Sequence, residues 1–201
     1  MSERVAIIVG NGGQAHVIAS LLPHRRIRFL VEREPGPDDI LQADYFAGSP
    51  DPDADHYIGI GDNDLRRACF DRLKSLGLTI ASCIAPTAWC ARDALLGEGV
   101  FLGAGAVVGA RTRIGDNVIV NTLSSVDHDC DIGADTQLTP GVSLGSHLAI
   151  GHSCYFGMKS CLVPRLTLGD RVTVMAGSLV VRSAPDGVML GGSPARIMRG
   201  A

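Results

Sequence analysis

The chain has 201 residues, of which 46% are hydrophobic and 19% charged, with a formal net charge of −3. That length holds one large domain or two modest ones, and the composition excludes a disordered chain. The near-neutral balance gives no electrostatic footprint for nucleic acid or an anionic membrane. The N-terminus runs from Met-Ser-Glu-Arg directly into Val5–Val9, too short a run for a signal peptide or a spanning helix, which predicts a cytoplasmic protein. Its cysteines then read as reduced thiols, and the absence of any Cys-x-x-Cys argues against a structural zinc site.

In chain order, Val5–Val9 reads as a buried strand, followed by the turn Gly10-Asn11-Gly12-Gly13 and a helical pattern from Gln14 to Leu22. Strand, glycine turn and helix open a nucleotide-binding α/β unit, with backbone N–H groups at the helix start facing a phosphate. The full dinucleotide fingerprint lacks its later glycine, so the turn reads equally as a phosphate contact and as tight packing of strand onto helix. Ile27–Val31 is a second strand ending at Glu32-Arg33, a polar pair placed either to meet a ribose or base or simply to be solvated. Pro35 to Pro52 reads mostly as loop, and Tyr57 to Gly61 as a third strand. Asp62-Asn63 is suited to cap a helix over Leu65–Leu76, and Thr79–Cys83 is a last short strand. These elements predict a small Rossmann-like α/β domain over residues 1–82.

From Ile84 to Pro185 the pattern changes to a strict period of six. The residues at Ile84, Cys90, Leu96, Leu102, Val108 and each sixth position onward are all apolar, and the fifth position of each unit is small or apolar. Glycine fills the second position in about half the units, read here as the place where the backbone must bend. Period six fits neither an amphipathic helix nor a long strand. It fits a parallel β-helix of short straight segments, three to a coil of about 18 residues, giving about five to six coils over residues 83–185. Residues 186–201 read as an irregular tail carrying Arg196 and Arg199.

Asp127-His128-Asp129 is the densest polar cluster of the repeat, with His128 at an outward third position. Flanking carboxylates hold a histidine in one tautomer and stabilise its imidazolium, as a general base requires; the bland alternative is a solvated turn. His147 and His152 have a spacing used by metal-binding coils, but Arg111 and Asp116 stand where a third imidazole is needed, so both read as surface turns and no metal is expected. Lys159, Arg165, Arg171, Arg182 and Arg196 give the later coils a basic surface, suited to an adenosine phosphate or to solvent.

With these motifs the chain resembles the hexapeptide-repeat acetyltransferases of bacterial sugar-nucleotide pathways. That group contains the UDP-4-amino-sugar (bacillosamine-type) N-acetyltransferases and the sialic-acid O-acetyltransferases. The markers are Gly10-Asn11-Gly12-Gly13, Ile58-Gly59-Ile60-Gly61-Asp62-Asn63, Asn121-Thr122, Val126-Asp127-His128-Asp129-Cys130, Phe156-Gly157-Met158-Lys159-Ser160-Cys161 and Gly192-Ser193-Pro194-Ala195. The resemblance implies a left-handed β-helix, a homotrimer, acetyl-CoA as co-substrate without a metal, and small-molecule partners. His128 would be the base and Asp129 its orienter, supported by Asp127, Gln137 and Asn121. The sugar nucleotide would meet Gly12, Gly13, Gln14, Glu32, Arg33, Gly61 and Asp62. Acetyl-CoA would meet Ser146, Gly157, Lys159, Ala176, Gly177, Pro194 and Arg196. The implied reaction is N-acetylation of a nucleotide-linked amino sugar, with O-acetylation of a sialic acid or other sugar hydroxyl, or a non-catalytic nucleotide-sugar binder, as the alternatives. Three positions depart from the family pattern: Gln137 and Gln14 stand where members often carry histidine, and Glu32-Arg33 stands where UDP-binding members carry paired aspartates.

Overall fold

A computed structural model describes residues 4–22, 26–37, 39–48 and 50–198; Arg199, expected in the basic tail, lies outside the described residues. Two compact units are present, residues 1–83 and 84–201. No helix among the described residues is long and apolar enough to cross a membrane.

In the first unit the continuous apolar run becomes the central strand β1 (Ala6–Val9), buried along its whole length. Strands β2 (Ile27–Val31), β3 (Ile40–Leu41) and β4 (Asp55–Ile58) join it in a parallel sheet of order β3-β2-β1-β4. Helices α1 (Gly13–Ser20), α2 (Gln42–Ala47) and α3 (Asn63–Ser75) accompany the sheet. Ile7, Val9, Leu30, Ile58, Phe70 and Leu73 form the core. Beyond β4, Gly59 passes so close to α1 that a Cβ there would sit 2.5 Å from the Ala15 Cα.

One expectation for this unit is refined and one is corrected. The Pro35–Pro52 stretch holds β3 and α2, fixed by the buried Tyr45, whose hydroxyl lies 2.6 Å from Nε2 of the buried His56. The strand expected at Thr79–Cys83 reduces to a single bridge between Ile80 and His56, and the repeat takes over at Cys83–Ile84.

In the second unit, two-residue strands recur every six residues and pair in parallel with the strands 18 positions away, as Ile119 does with both Phe101 and Gln137. Three parallel sheets result, one for each side of the coil. The first-position residues point inward, where Leu102, Val108, Val120, Leu138, Phe156 and Val174 are fully buried. Three inward fifth-position hydroxyls donate to backbone of the adjacent turn, Thr112 Oγ1 to the Asp127 carbonyl, Ser124 Oγ to that of Thr139 and Thr136 Oγ1 to that of Gly151, whereas the buried Ser160 Oγ has no partner among the described residues. Such pairing offsets the cost of burying a hydroxyl.

The bend lies elsewhere than expected. Every sixth residue from Gly99 to Gly177, the fourth of each unit, has a positive φ, and most of these residues are not glycine. Second-position glycines serve the stacking of coils instead: a Cβ on Gly109 would lie 2.6 Å from both the Asp127 carbonyl carbon and the His128 nitrogen. The irregular tail is also corrected, since Met189–Gly192 continues one sheet beside Thr173–Val174 and folds back against Ala195–Ile197 as an antiparallel pair.

Gly109→Ala should therefore force adjacent coils apart and cost about 1–3 kcal/mol, the range for overpacking a close-packed interior. Gly13→Ala is the control, because nothing lies within 4 Å of a Cβ there. Thermal melts should show a lower Tm for Gly109→Ala alone; unchanged melting would mean that the coils tolerate separation.

Candidate active site

Stacking at an 18-residue interval turns distant positions into neighbours. Arg111, Asp129 and His147 are fourth-position residues of successive coils at one corner, with φ of 56°, 58° and 58°. Their backbones are tied by a ladder in which Asp129 N donates to the Ala110 carbonyl and His147 N to that of His128. The Asp129 carboxylate receives Arg111 Nε on Oδ1 and Arg111 Nη2 on Oδ2, both at 2.7 Å. Oδ2 also lies 2.6 Å from His128 Nδ1. Hydrogen bonding from Arg111, and next from His128, holds the Asp129 carboxyl well below the usual carboxylate range.

An ionised carboxylate only accepts, so the bridging proton belongs to His128 Nδ1. In the neutral ring the lone pair is then on Nε2, the arrangement a base needs. The His128 side chain is 44% exposed and so open to a reactant. Asp127 acts on the main chain instead. Its Oδ1 accepts the backbone N–H of His128 at 2.8 Å and fixes the peptide beneath the ring. Across the corner, the His147 ring meets the His128 ring edge to face at 5.2 Å, and its Nε2 lies 3.7 Å from Asp129 Oδ2.

Residues 95–122 match the hexapeptide repeat of succinyl-transferase. Over 98% of this chain and 100% of the other, the structure is similar to the acetyltransferase domain of PglB from Neisseria gonorrhoeae FA1090 in complex with acetyl coenzyme A, at 31% identity and a TM-score of 0.91. It is also similar to PerB from Caulobacter crescentus in complex with CoA and GDP-perosamine, at 30% identity, with 96% and 97% of the two chains covered and a TM-score of 0.89. The chain belongs to the hexapeptide-repeat sugar N-acetyltransferases.

Most other positions expected to act in this acetyltransferase lie apart from the His128 corner. Asn121 caps its own turn, its Oδ1 accepting Thr122 N at 2.7 Å. Gln137 stands on another sheet, buried, and its Oε1 has no partner among the described residues. Gly157, Lys159, Ala176 and Gly177 gather at a different corner, where Gly177 N donates to the Met158 carbonyl. A Cβ on Gly157 would collide with Ala176 N, so this glycine is required by the stacking itself. Ser146 departs from that group: it stacks above His128, one residue before His147. Pro194 follows a cis peptide bond, and the exposed Arg196 lines a cavity of about 300 Å³ with Arg182, Leu190 and Ile197.

In the first unit of the acetyltransferase, the expected sugar-nucleotide residues collect at the carboxyl edge of the sheet. Gly12 caps α1 without a side-chain bond, no acid occupies the first turn, and a Cβ at Gly12, Gly13 or Gly61 would meet nothing within 4 Å. Gln14 Nε2 is buried there with no partner among the described residues. Glu32 and Arg33 are exposed beyond β2, whereas Asp62 is committed to capping α3 through Leu65 N at 2.9 Å.

Arg111 and His147 are the residues that local motifs miss, since each is 18 positions from Asp129 and signalled only by that interval. His147 does lie on an exposed turn, but there it faces Asp129; His152, on another turn, pairs with Asp170 at 2.9 Å.

Because the Asp129 carboxyl is held low in the folded state, its stabilising effect is present above an ordinary carboxylate value of about 4 and fades as pH falls through the folded value. Asp129→Asn keeps a residue tolerant of positive φ and removes the charge. The gap in Tm between wild type and Asp129→Asn should be widest near neutrality and should close below about pH 4. A gap that persisted unchanged into strong acid would remove ionised Asp129 from the corner.

Proposed function

We propose that this acetyltransferase transfers the acetyl group of acetyl-CoA to the amine of a nucleotide-linked 4-amino-4,6-dideoxy sugar, with His128 as general base. The supporting observation is the tautomer imposed on His128 by an ionised Asp129, which leaves Nε2 as the acceptor on a half-exposed ring. In this reading the sugar nitrogen attacks the thioester carbonyl and His128 Nε2 takes the proton that the nitrogen loses. The C–S bond then breaks, and the proton on Nε2 passes to the departing sulfur. Backbone N–H groups are suited to the oxyanion; Gln137 would join them only through its Nε2 donor, because its unpartnered Oε1 is an acceptor. No covalent enzyme intermediate is required, because an aligned amine and thioester react directly.

The similar proteins support the two halves of this reading: one is described with acetyl coenzyme A, another with CoA and GDP-perosamine. Residues 1–82 act as a Rossmann-like domain that holds the sugar nucleotide, its diphosphate on the open Gly12-Gly13 turn. Residues 83–185 form a left-handed β-helix of about five to six coils, and residues 186–201 lie near the adenosine of acetyl-CoA. The enzyme works as a cytoplasmic homotrimer, with acetyl-CoA between neighbouring copies. UDP is the proposed nucleotide; the exposed Glu32-Arg33 pair makes GDP the competitor to test beside it.

An acetyl-CoA consumption assay across UDP- and GDP-linked 4-amino sugars and sialic acid tests the proposal. Turnover of a nucleotide-linked amine is expected; turnover of sialic acid alone would replace N-transfer with O-transfer, and no turnover with any acceptor would favour a binding role. His128→Ala should lower kcat by about 10²- to 10⁴-fold with little change in either KM. Retention of more than about a third of wild-type kcat would be too much for a lost base. Gly13→Val should raise KM for the sugar nucleotide and spare that for acetyl-CoA, since the protein itself leaves room for the new side chain. Equal effects on both substrates would indicate damage to the fold.

A further inference from the structure

The corner that orients His128 carries more ligating groups than a base and its orienter require. His128, Asp129 and His147 each offer one ligand atom within 4.8 Å of the other two. We propose that these three side chains bind a single transition-metal ion of the zinc class, and that its binding inhibits the enzyme.

Two imidazoles and one carboxylate form a donor set of the type zinc accepts, with solvent completing a tetrahedron. Ligand atoms about 2.0–2.1 Å from a tetrahedral ion stand roughly 3.3 Å apart. The distances to Asp129 Oδ2 straddle that separation: 2.6 Å from His128 Nδ1 and 3.7 Å from His147 Nε2. Small side-chain rotations, one opening and one closing, bring both to the required value. The rings are half-exposed and Asp129 is 25% exposed, so the corner is accessible to a dissolved ion. Arg111 acts in two directions. It keeps Asp129 ionised, as a metal ligand must be, yet its cation occupies both carboxylate oxygens and opposes a second positive charge. The balance describes a reversible site and not a resident cofactor.

Occupation of His128 Nδ1 by the ion would take that nitrogen off the carboxylate that fixes its tautomer. Inhibition thus rests on the proposed role of His128, whereas binding does not, and the two are measured separately.

Cobalt(II) is the probe, titrated into the chelator-treated full-length protein and followed by its visible ligand-field absorption. Saturation at one ion per chain is expected, with zinc displacing the cobalt. His147→Asn, which suits the positive φ at that position, should weaken binding by at least about tenfold. Arg111→Gln should strengthen it, and His152→Asn, at the separate pair with Asp170, should leave it unchanged. Zinc should inhibit acetyl transfer by the wild type, and a chelator should restore it. Absence of a tetrahedral cobalt spectrum, or a spectrum indifferent to His147→Asn, would overturn the site. Binding without inhibition would overturn the link to His128 while leaving the ligand set standing.

Discussion

The second unit depends on the stacking of each coil directly on the one 18 residues away. At the second position the backbones approach so closely that a Cβ on Gly109 would meet two main-chain atoms at 2.6 Å. The left-handed turn at every fourth position returns the chain to the same path, and strand hydrogen bonds lock the register. Non-glycine residues held at positive φ cost roughly 1–2 kcal/mol each, a strain offset by the ladder and by the inward apolar column that the turns make possible. Once the register is fixed, the corners become columns of side chains with no freedom to choose their neighbours.

The proposed chemistry follows from one such column. Asp129 receives Arg111 from one coil, His128 from its own, and faces His147 from the next. Arg111 keeps the acid ionised and immobile, and the acid in turn decides which ring nitrogen of His128 bears hydrogen. Asp127, although adjacent to the same histidine, serves the backbone alone. Two acids flanking one imidazole therefore do unlike work because one side chain turns back to its own main chain and the other turns outward along the column.

Much of this was legible in the sequence. Period six stands out because an inward residue is demanded at every first position from Cys90 onward, and the strand–turn–helix opening because a buried run, a glycine turn and a helical pattern follow without interruption. The short helix α2 was not legible: within six residues only Tyr45 is buried, too little to make a period. The closing hairpin was hidden by its glycines, which mimic a loop but pair as Met189–Gly192 against Ala195–Ile197. At the candidate site, His128 and Asp129 announce themselves as neighbours in sequence. Arg111 and His147 become their neighbours only after the coil length is applied, and the same coil length reassigns the second-position glycines from bending to close approach.

Coil stacking, by presenting Arg111 to Asp129, forces His128 into the tautomer with hydrogen on Nδ1. Nitrogen-15 NMR of histidine-labelled protein near neutral pH reads this directly, with the His128 signals assigned by the spectrum of His128→Ala. The structure predicts a protonated Nδ1 and a bare Nε2 in the neutral ring, a preference lost in Asp129→Asn. A ring with hydrogen on Nε2, or a tautomer indifferent to Asp129→Asn, would contradict the account.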